Sequence, residues 1–209
     1  MRVDPATLSP DAAYFWQIAT IVPRPIAWTS TLNQDGSANL APFSFFTGAG
    51  SDPPLCIINV ARHKNGEKKD TWRNIERTGE YVIHVVPDRL AAEMNATSKV
   101  FPYGVDEFVA AGLAKTPSEK VAPPRIAAAP VAMECRLQQI VEVGRNVGAG
   151  SAVIIGEILL WHVSEDVLEE GGGAGGGPRI DPGKLDAIGR LGGSVYSRTR
   201  DRFSMLRPK

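Results

Sequence analysis

The chain lacks nearly all the signatures that announce a chemistry outright. It has no Walker A sequence and no G-x-S-x-G elbow, which excludes a P-loop phosphate cradle and acyl transfer from an elbow serine. GGGAGG at 171–176 formally fits G-x-G-x-x-G, but it follows acidic EDVLEE and comes just before Pro178. A dinucleotide fingerprint must join a strand to a helix, so the match is discarded. The histidines His63, His84 and His162 lack metal-ligand spacing, and neither cysteine has a near partner for zinc. No pair of carboxylates stands out as a general acid and base, although that chemistry stays open. The sequence therefore implies no metal site and no catalytic side chain.

Charge and hydrophobic runs are equally uninformative. Lys and Arg number 23 and Asp and Glu number 23, so no net charge favours nucleic acid or an anionic membrane. No apolar run reaches membrane-spanning length, and MRVDPATLSPDAAYFW has no basic-then-apolar signal. A soluble, cytoplasmic protein is the expectation. Cys56 and Cys135 lie in strand-like apolar runs and read as small buried hydrophobes. No basic neighbour lowers the Cys56 pKa, which argues against a redox thiol, while a disulfide between the two stays open.

What is there is a β-rich pattern. The organising stretch is Pro23–Phe46, PRPIAWTSTLNQDGSANLAPFSFF. Pro-Arg-Pro fixes an extended entry, IAWTST reads as a strand, Asn33-Gln34-Asp35-Gly36 as a hairpin turn and SANLAPFSFF as the return. The arms carry small hydroxyls at Thr29, Ser30, Thr31 and Ser44, and little side chain lies around Ala41 and Pro42. That suits a flat polar ring, whose edge needs hydrogen-bond partners and whose faces need apolar contact. Trp28 reads as core.

Upstream, Ser9 and Pro10 begin a short helix whose Tyr14, Phe15 and Trp16 are expected to cover a barrel end. GAGSDPP, residues 48–54, reads as a turn, and LCIINVA as a strand buried on both faces or lying against another subunit. RHKNGEKKDT is a basic loop in which Arg62, Lys64, Lys68 and Lys69 precede a helix start capped by Asp70 or Thr71, with Gly79 ending the helix. Cations beside free helix N–H groups make a phosphate site. EYVIHVVP is a strand, DRLAAEMNATS a helix, FPYGVDEFVAAGL an irregular stretch with a helical turn, and the proline-rich run 115–130 a loop. Val131–Val143 alternates as a half-exposed strand, with Ala132, Glu134, Arg136, Gln138 and Glu142 on its polar face. RNVGAG turns into SAVIIGEILLWHVS, where Gly156 implies a bulge or a close backbone contact. His84 and His162 read as structural. His63 lies beside the phosphate site, on the surface or against a ligand.

These motifs carry a resemblance. RPIAWTST, DG, NLAPFSFF, DPP and KKDT, with GRLGGSVYSRTRDRFSMLRP near the C-terminus, resemble the flavin reductase-like, flavoredoxin-type group of FMN-binding split-barrel proteins. The resemblance implies a mainly β fold, an antiparallel Greek-key split β-barrel with a few short helices. Residues 1–170 would form the FMN-binding domain, 171–177 a Gly-rich link and 178–209 an extension packed on the barrel or a partner subunit. The first hairpin would hold the ring and ribityl chain through Arg24, Thr29, Ser30, Thr31, Asn39, Ala41, Pro42, Phe43 and Ser44. Arg62, Lys69, Asp70 and Thr71 would hold the phosphate. FMN would take hydride from NADH or NADPH and pass electrons onward, so no general acid or base is required of the protein. The site would lie near a homodimer interface, where Tyr196 and Arg198 reach a partner's flavin, and an electron-acceptor protein is a further partner. Two other readings remain: an FMN electron carrier reduced by a protein partner, and a split-barrel protein binding another ligand such as haem or a deazaflavin.

Overall fold

The computed structural model describes residues 1–144, 150–172 and 177–208. Its elements in order are α1 (Pro10–Thr20), β1 (Ala27–Leu32), β2 (Ala38–Phe43), β3 (Phe46–Ser51), β4 (Pro54–Ala61), α2 (Asp70–Thr78) and β5 (Glu80–His84). There follow α3 (Ala91–Ala96), α4 (Glu107–Ala110), the short β6 (Lys115–Thr116) and β7 (Arg125–Ile126), and the long β8 (Val131–Val143) and β9 (Ser151–Val163). A C-terminal piece adds α5 (Pro182–Leu185), β10 (Ile188–Arg190) and β11 (Tyr196–Arg198).

Seven strands form one sheet in the order β2-β1-β5-β8-β9-β4-β3, antiparallel throughout. Its edges are β2 and β3, which only Ser44 and Phe45 separate in sequence. Laid flat, the edges would stand about 29 Å apart at the usual strand spacing. Two residues reach about 10 Å. The sheet therefore curls until its edges meet, and the fold is the mainly β, antiparallel split barrel that the resemblance implied.

Inside the curl, Cys56, Ile58 and Val60 of β4 pack with Tyr81, Ile83, Cys135 and Ile154. From the mouth, α2 adds Trp72 and Ile75 to that cluster. A second cluster covers the outer face of the hairpin, where Trp28 and Leu40 meet Met94, Phe108 and Ile188. The tail is tied on by backbone bridges Arg24–Arg190 and Pro87–Ala187. No described helix is long and apolar enough to cross a membrane.

Several local expectations hold for their stated reasons. Ser9 Oγ accepts the N–H of Ala12, and Pro10 opens α1. Gly36 takes φ +85° in the hairpin turn, and Gly79 ends α2 in the left-handed region. His84 is buried, its ring bridging the Trp28 carbonyl (2.8 Å) and the Ile126 N–H (3.0 Å). Its Nε2 thus accepts and its Nδ1 donates, and burial first of all lowers its pKa to about 4. Gly156 is a close contact, because a Cβ there would sit 1.8 Å from the Tyr81 hydroxyl oxygen.

Others need correction. The turn at 48–54 shrinks to Asp52-Pro53, since Phe46–Ser51 pairs with β4 through a bulge at Gly48/Gly50. β4 alternates rather than burying both faces, with Leu55 and Ile57 only half-covered on its outer side. Tyr14, Phe15 and Trp16 are not buried over a barrel end in the single chain: 55%, 59% and 38% exposed, they leave Ile18 as the buried residue of α1. Of the three, only Tyr14 packs against another aromatic ring among the described residues, that of Phe45. Glu134, read on a solvated face, is fully buried because the proline-rich loop folds over it. Its carboxylate accepts from Glu119 N (2.8 Å), Lys120 N (2.5 Å) and His162 Nε2 (2.6 Å). The cysteines are free, Sγ atoms 3.9 Å apart, and β9 runs between their strands. Strands two places apart lie about 9–10 Å from each other, beyond disulfide reach without backbone movement. The turn read at RNVGAG and the core of the Gly-rich link lie at 145–149 and 173–176, outside the described residues.

Candidate functional site

Pairing β1 with β2 sets Thr31 opposite Asn39 and Thr29 opposite Ala41. Thr31, Asn39, Thr71 and Asn74 then form one buried network. Thr31 Oγ1 accepts from the amides of Asn39 and Asn74, both at 3.0 Å. The Asn39 amide also donates to Thr71 Oγ1 (3.0 Å), and that of Asn74 to Asn33 Oδ1 (2.8 Å). These bonds clamp the first turn of α2 against the hairpin. Neither Asp70 nor Thr71 caps the helix, contrary to expectation: Lys69 occupies the cap position without a side-chain bond. The first N–H groups of α2 thus keep their partial positive charge for an external acceptor.

Around this clamp three clefts adjoin. The first lies between Asn39–Phe43 of β2, Lys69–Thr71, and the segment 97–101, with Glu107 in its lining. The second opens outward past Arg62, His63, Lys64, Arg73 and Tyr103 and encloses about 600 Å³, within the range of small-molecule sites. The third runs behind Phe43 to Ser44, Phe45, Asn59 and Ser151, with Tyr14 and Gln17 of α1 at its side. Lys69 lines all three. Its ammonium stands 5.9 Å from the Phe43 ring, with no carboxylate within 4.0 Å among the described residues. Desolvation lowers its pKa. A desolvated cation with no carboxylate partner, beside uncapped helix N–H groups, could hold an anion.

Asp70 and Glu107 share the first cleft with Lys69. Burial raises both carboxyls, Glu107 to about 7. For Asp70, Arg73 and then His63 pull the other way. Among the described residues no cluster of His, Cys, Asp and Glu could hold a metal ion.

The expected site residues divide accordingly. Asn39, Ala41, Pro42, Phe43, Lys69, Asp70 and Thr71 converge on the first cleft, Ser44 faces the third and Arg62 the second. Arg24 lines none of the three clefts, although its Nε donates to Ser44 Oγ at 3.4 Å. Its guanidinium is held by the carbonyls of Ile18 (2.7 Å), Ile21 (2.8 Å) and Leu191 (2.9 Å), tying α1 and the tail to the hairpin. Thr29 and Ser30 are fully buried, their hydroxyls spent on the Ala27 and Pro124 carbonyls. Thr31 acts beneath the cleft through the network. The segment 97–101, Asn74 and Glu107 were not foreseen. Glu107 reaches the site across 67 residues, through its bond to Leu40, and no local pattern encodes that.

A family model described as "Flavin reductase like domain" matches residues 19–179. The chain belongs to that family. Among solved structures it is similar to nitrilotriacetate monooxygenase component B from Bacillus cereus, with TM-score 0.91, 30% identity and 98% of both chains covered. It is similar also to 2-nitrobenzoate 2-nitroreductase NbaA from Pseudomonas fluorescens, with TM-score 0.86, 32% identity, and 100% of this chain and 96% of that one covered. A Shewanella frigidimarina structure described as having a split barrel domain shares the fold at TM-score 0.81 and 20% identity, with both chains covered fully. In this flavin reductase-like chain the matched span contains the hairpin, the basic loop, α2 and Glu107.

Proposed function

We propose that this protein is an FMN-binding oxidoreductase that uses NADH or NADPH as electron donor. The observation that carries the reading is Lys69: a desolvated, unpaired ammonium at the uncapped start of α2, facing all three clefts. A phosphate monoester meets there both a full charge and helix N–H donors. Pro42 and Phe43 offer apolar contact to a ring, and the small Ala41 leaves room beside the backbone. The residues present fit the group. Bound FMN would supply the redox chemistry, accepting a hydride from the nicotinamide and releasing electrons to an acceptor. The protein's own part is to anchor the phosphate through Lys69 and the turn at Thr71, to position the ring against β2, and to limit water through the segment 97–101.

The site is proposed to lie near a homodimer interface. Tyr14, beside the third cleft, packs its ring 6.3 Å from that of Phe45, yet with Phe15, Trp16, Ile21 and Val22 it leaves a run of apolar side chains exposed. A second copy of the chain would cover them. Tyr196 and Arg198 line a separate hollow with Asp88 and Met94, so in one chain they lie apart from the three clefts.

The test is the absorbance spectrum of the purified protein, and its bleaching by NADH or NADPH without oxygen. Flavin bands that bleach support the reading. Flavin that binds but stays oxidised with either nicotinamide points to an electron carrier reduced by a protein. Absence of flavin, with no rise in melting temperature on adding FMN, rejects the FMN assignment.

A further inference from the structure

One carboxyl enters the first cleft from an unforeseen direction. Glu107 opens α4 and is 7% exposed. Its Oε2 accepts the backbone N–H of Leu40 at 2.9 Å. Leu40 lies on the edge strand β2, so this bond satisfies a donor that no neighbouring strand reaches. Among the described residues, the other oxygen, Oε1, receives no hydrogen bond, and no Lys, Arg or His nitrogen lies within 4.0 Å of either oxygen. The side chain nevertheless lines the cleft. The obvious donor there is already spent, because the Asn39 amide serves Thr31 and Thr71.

The groups that set its protonation are few. His63, Lys69, Asp70 and Lys99 line the same cleft. Asp106, adjacent in sequence, is paired with Lys115, and Arg73 of α2 is drawn to Asp70 (3.5 Å) and Glu67 (3.7 Å). Burial pushes the Glu107 carboxyl up to about 7, with Asp70 and Asp106 adding to the rise and backbone N–H groups opposing it. Near neutral pH the group is thus a carboxylic acid about half the time. A neutral acid donates a hydrogen bond where a carboxylate cannot.

We propose that protonated Glu107 donates a hydrogen bond from its free oxygen to a carbonyl on the edge of a bound ring, which makes ligand binding proton-linked. This rests on the flavin reading of the cleft, since the ring of a flavin offers such carbonyls. The proton stays on Glu107 and no bond is made or broken. The group acts as a binding and positioning residue, and its ionisation removes the donor and sets a second negative charge beside Asp70.

The experiment is a titration with riboflavin, which has no phosphate to titrate, followed by flavin fluorescence between pH 6 and pH 8. It compares the wild type with Glu107→Gln, which keeps an acceptor for Leu40 and a donor for the ring but does not titrate. For a group half ionised at pH 7, the wild-type Kd is expected to rise about tenfold over that range as the competent fraction falls. The Gln variant should stay flat, near the wild-type value at pH 6, and His63→Gln should keep the wild-type slope. An equal slope in wild type and Glu107→Gln overturns the proposal, as does a flat wild type. Loss of the slope in His63→Gln assigns it to the histidine and overturns the proposal even if Glu107→Gln fails to fold. Wild type that binds neither riboflavin nor FMN at any pH overturns the flavin reading itself, whereas flavin binding without the slope overturns only the role of Glu107.

Discussion

Burial lowers the pKa of Lys69, and no carboxylate among the described residues lies within 4.0 Å to offset it. A charge-assisted bond to a phosphate is worth about 1.5–3 kcal/mol. Lys69→Met is therefore expected to weaken FMN binding about tenfold or more and to change riboflavin binding little, read by fluorescence quenching with both ligands. A loss shared equally by the two would move the phosphate elsewhere. Gly156 gives a second residue-level expectation. Its missing side chain is replaced by the Tyr81 hydroxyl, 1.8 Å from where a Cβ would stand. Gly156→Ala should cost about 1–3 kcal/mol by overpacking, and Tyr81→Phe in the same chain should recover part of it, measured by urea unfolding. At this scale the sequence was only partly legible. The position of Lys69 and Thr71 at the start of α2 could be read because a basic run before a helix start has a local signature, whereas the missing side-chain cap could not. Arg24 is drawn away from the first cleft by three carbonyls, of which those of Ile18 and Ile21 are near in sequence and only that of Leu191 is brought in by long-range packing, which no local pattern encodes.

Elements were legible where period and punctuation agreed. The first hairpin shows this: its turn residues and its register both follow from Asn33–Gly36. β3 was missed because Gly48 to Pro54 is composed like a turn, and an exposed edge strand needs backbone pairing rather than large side chains. Glu134 was misplaced because strand alternation cannot foresee a loop folding over its polar face. For α2 the C-terminal stop at Gly79 has φ +71° with open space around it. Gly79→Ala should lower stability by about 1 kcal/mol through backbone strain alone, seen as a lower melting temperature. FMN affinity should be unchanged, because the proposed phosphate site is at the opposite end of the helix.

For the molecule as a whole, two buried groups set opposing pH dependences. His84, lowered to about 4, favours the folded state above its unfolded value, and that stability is lost as pH falls from 6.5 towards 4. Glu107, raised to about 7, contributes stability at low pH that is lost as pH rises from 4.5 through 7. Between them the ligand-free protein should show a flat melting profile over weakly acidic pH. Glu107→Gln removes one side of the balance, so its melting temperature should climb between pH 5 and pH 7 where that of the wild type does not. Quaternary structure gives another whole-molecule expectation. Phe15→Glu should shift the proposed homodimer to monomer in light scattering, and a dimer mass that does not change would place the interface away from α1. The exposed run around Phe15 could not be recognised from sequence, since aromatic residues in a short helix look the same whether they pack inward or outward.

Ser44 and Phe45 hand the chain from one margin of the sheet to the other, and the third cleft opens beside them between β2 and β4. The wall of the cylinder thus has an unstitched seam, and a ligand held in the first cleft would abut it at Pro42, Phe43 and Lys69. A molecule wedged there would serve as a bolt as well as a cargo. The empty protein should breathe along this line, exchanging β2 and β3 amides faster than those of β8, and loading should slow the edges towards the pace of the middle.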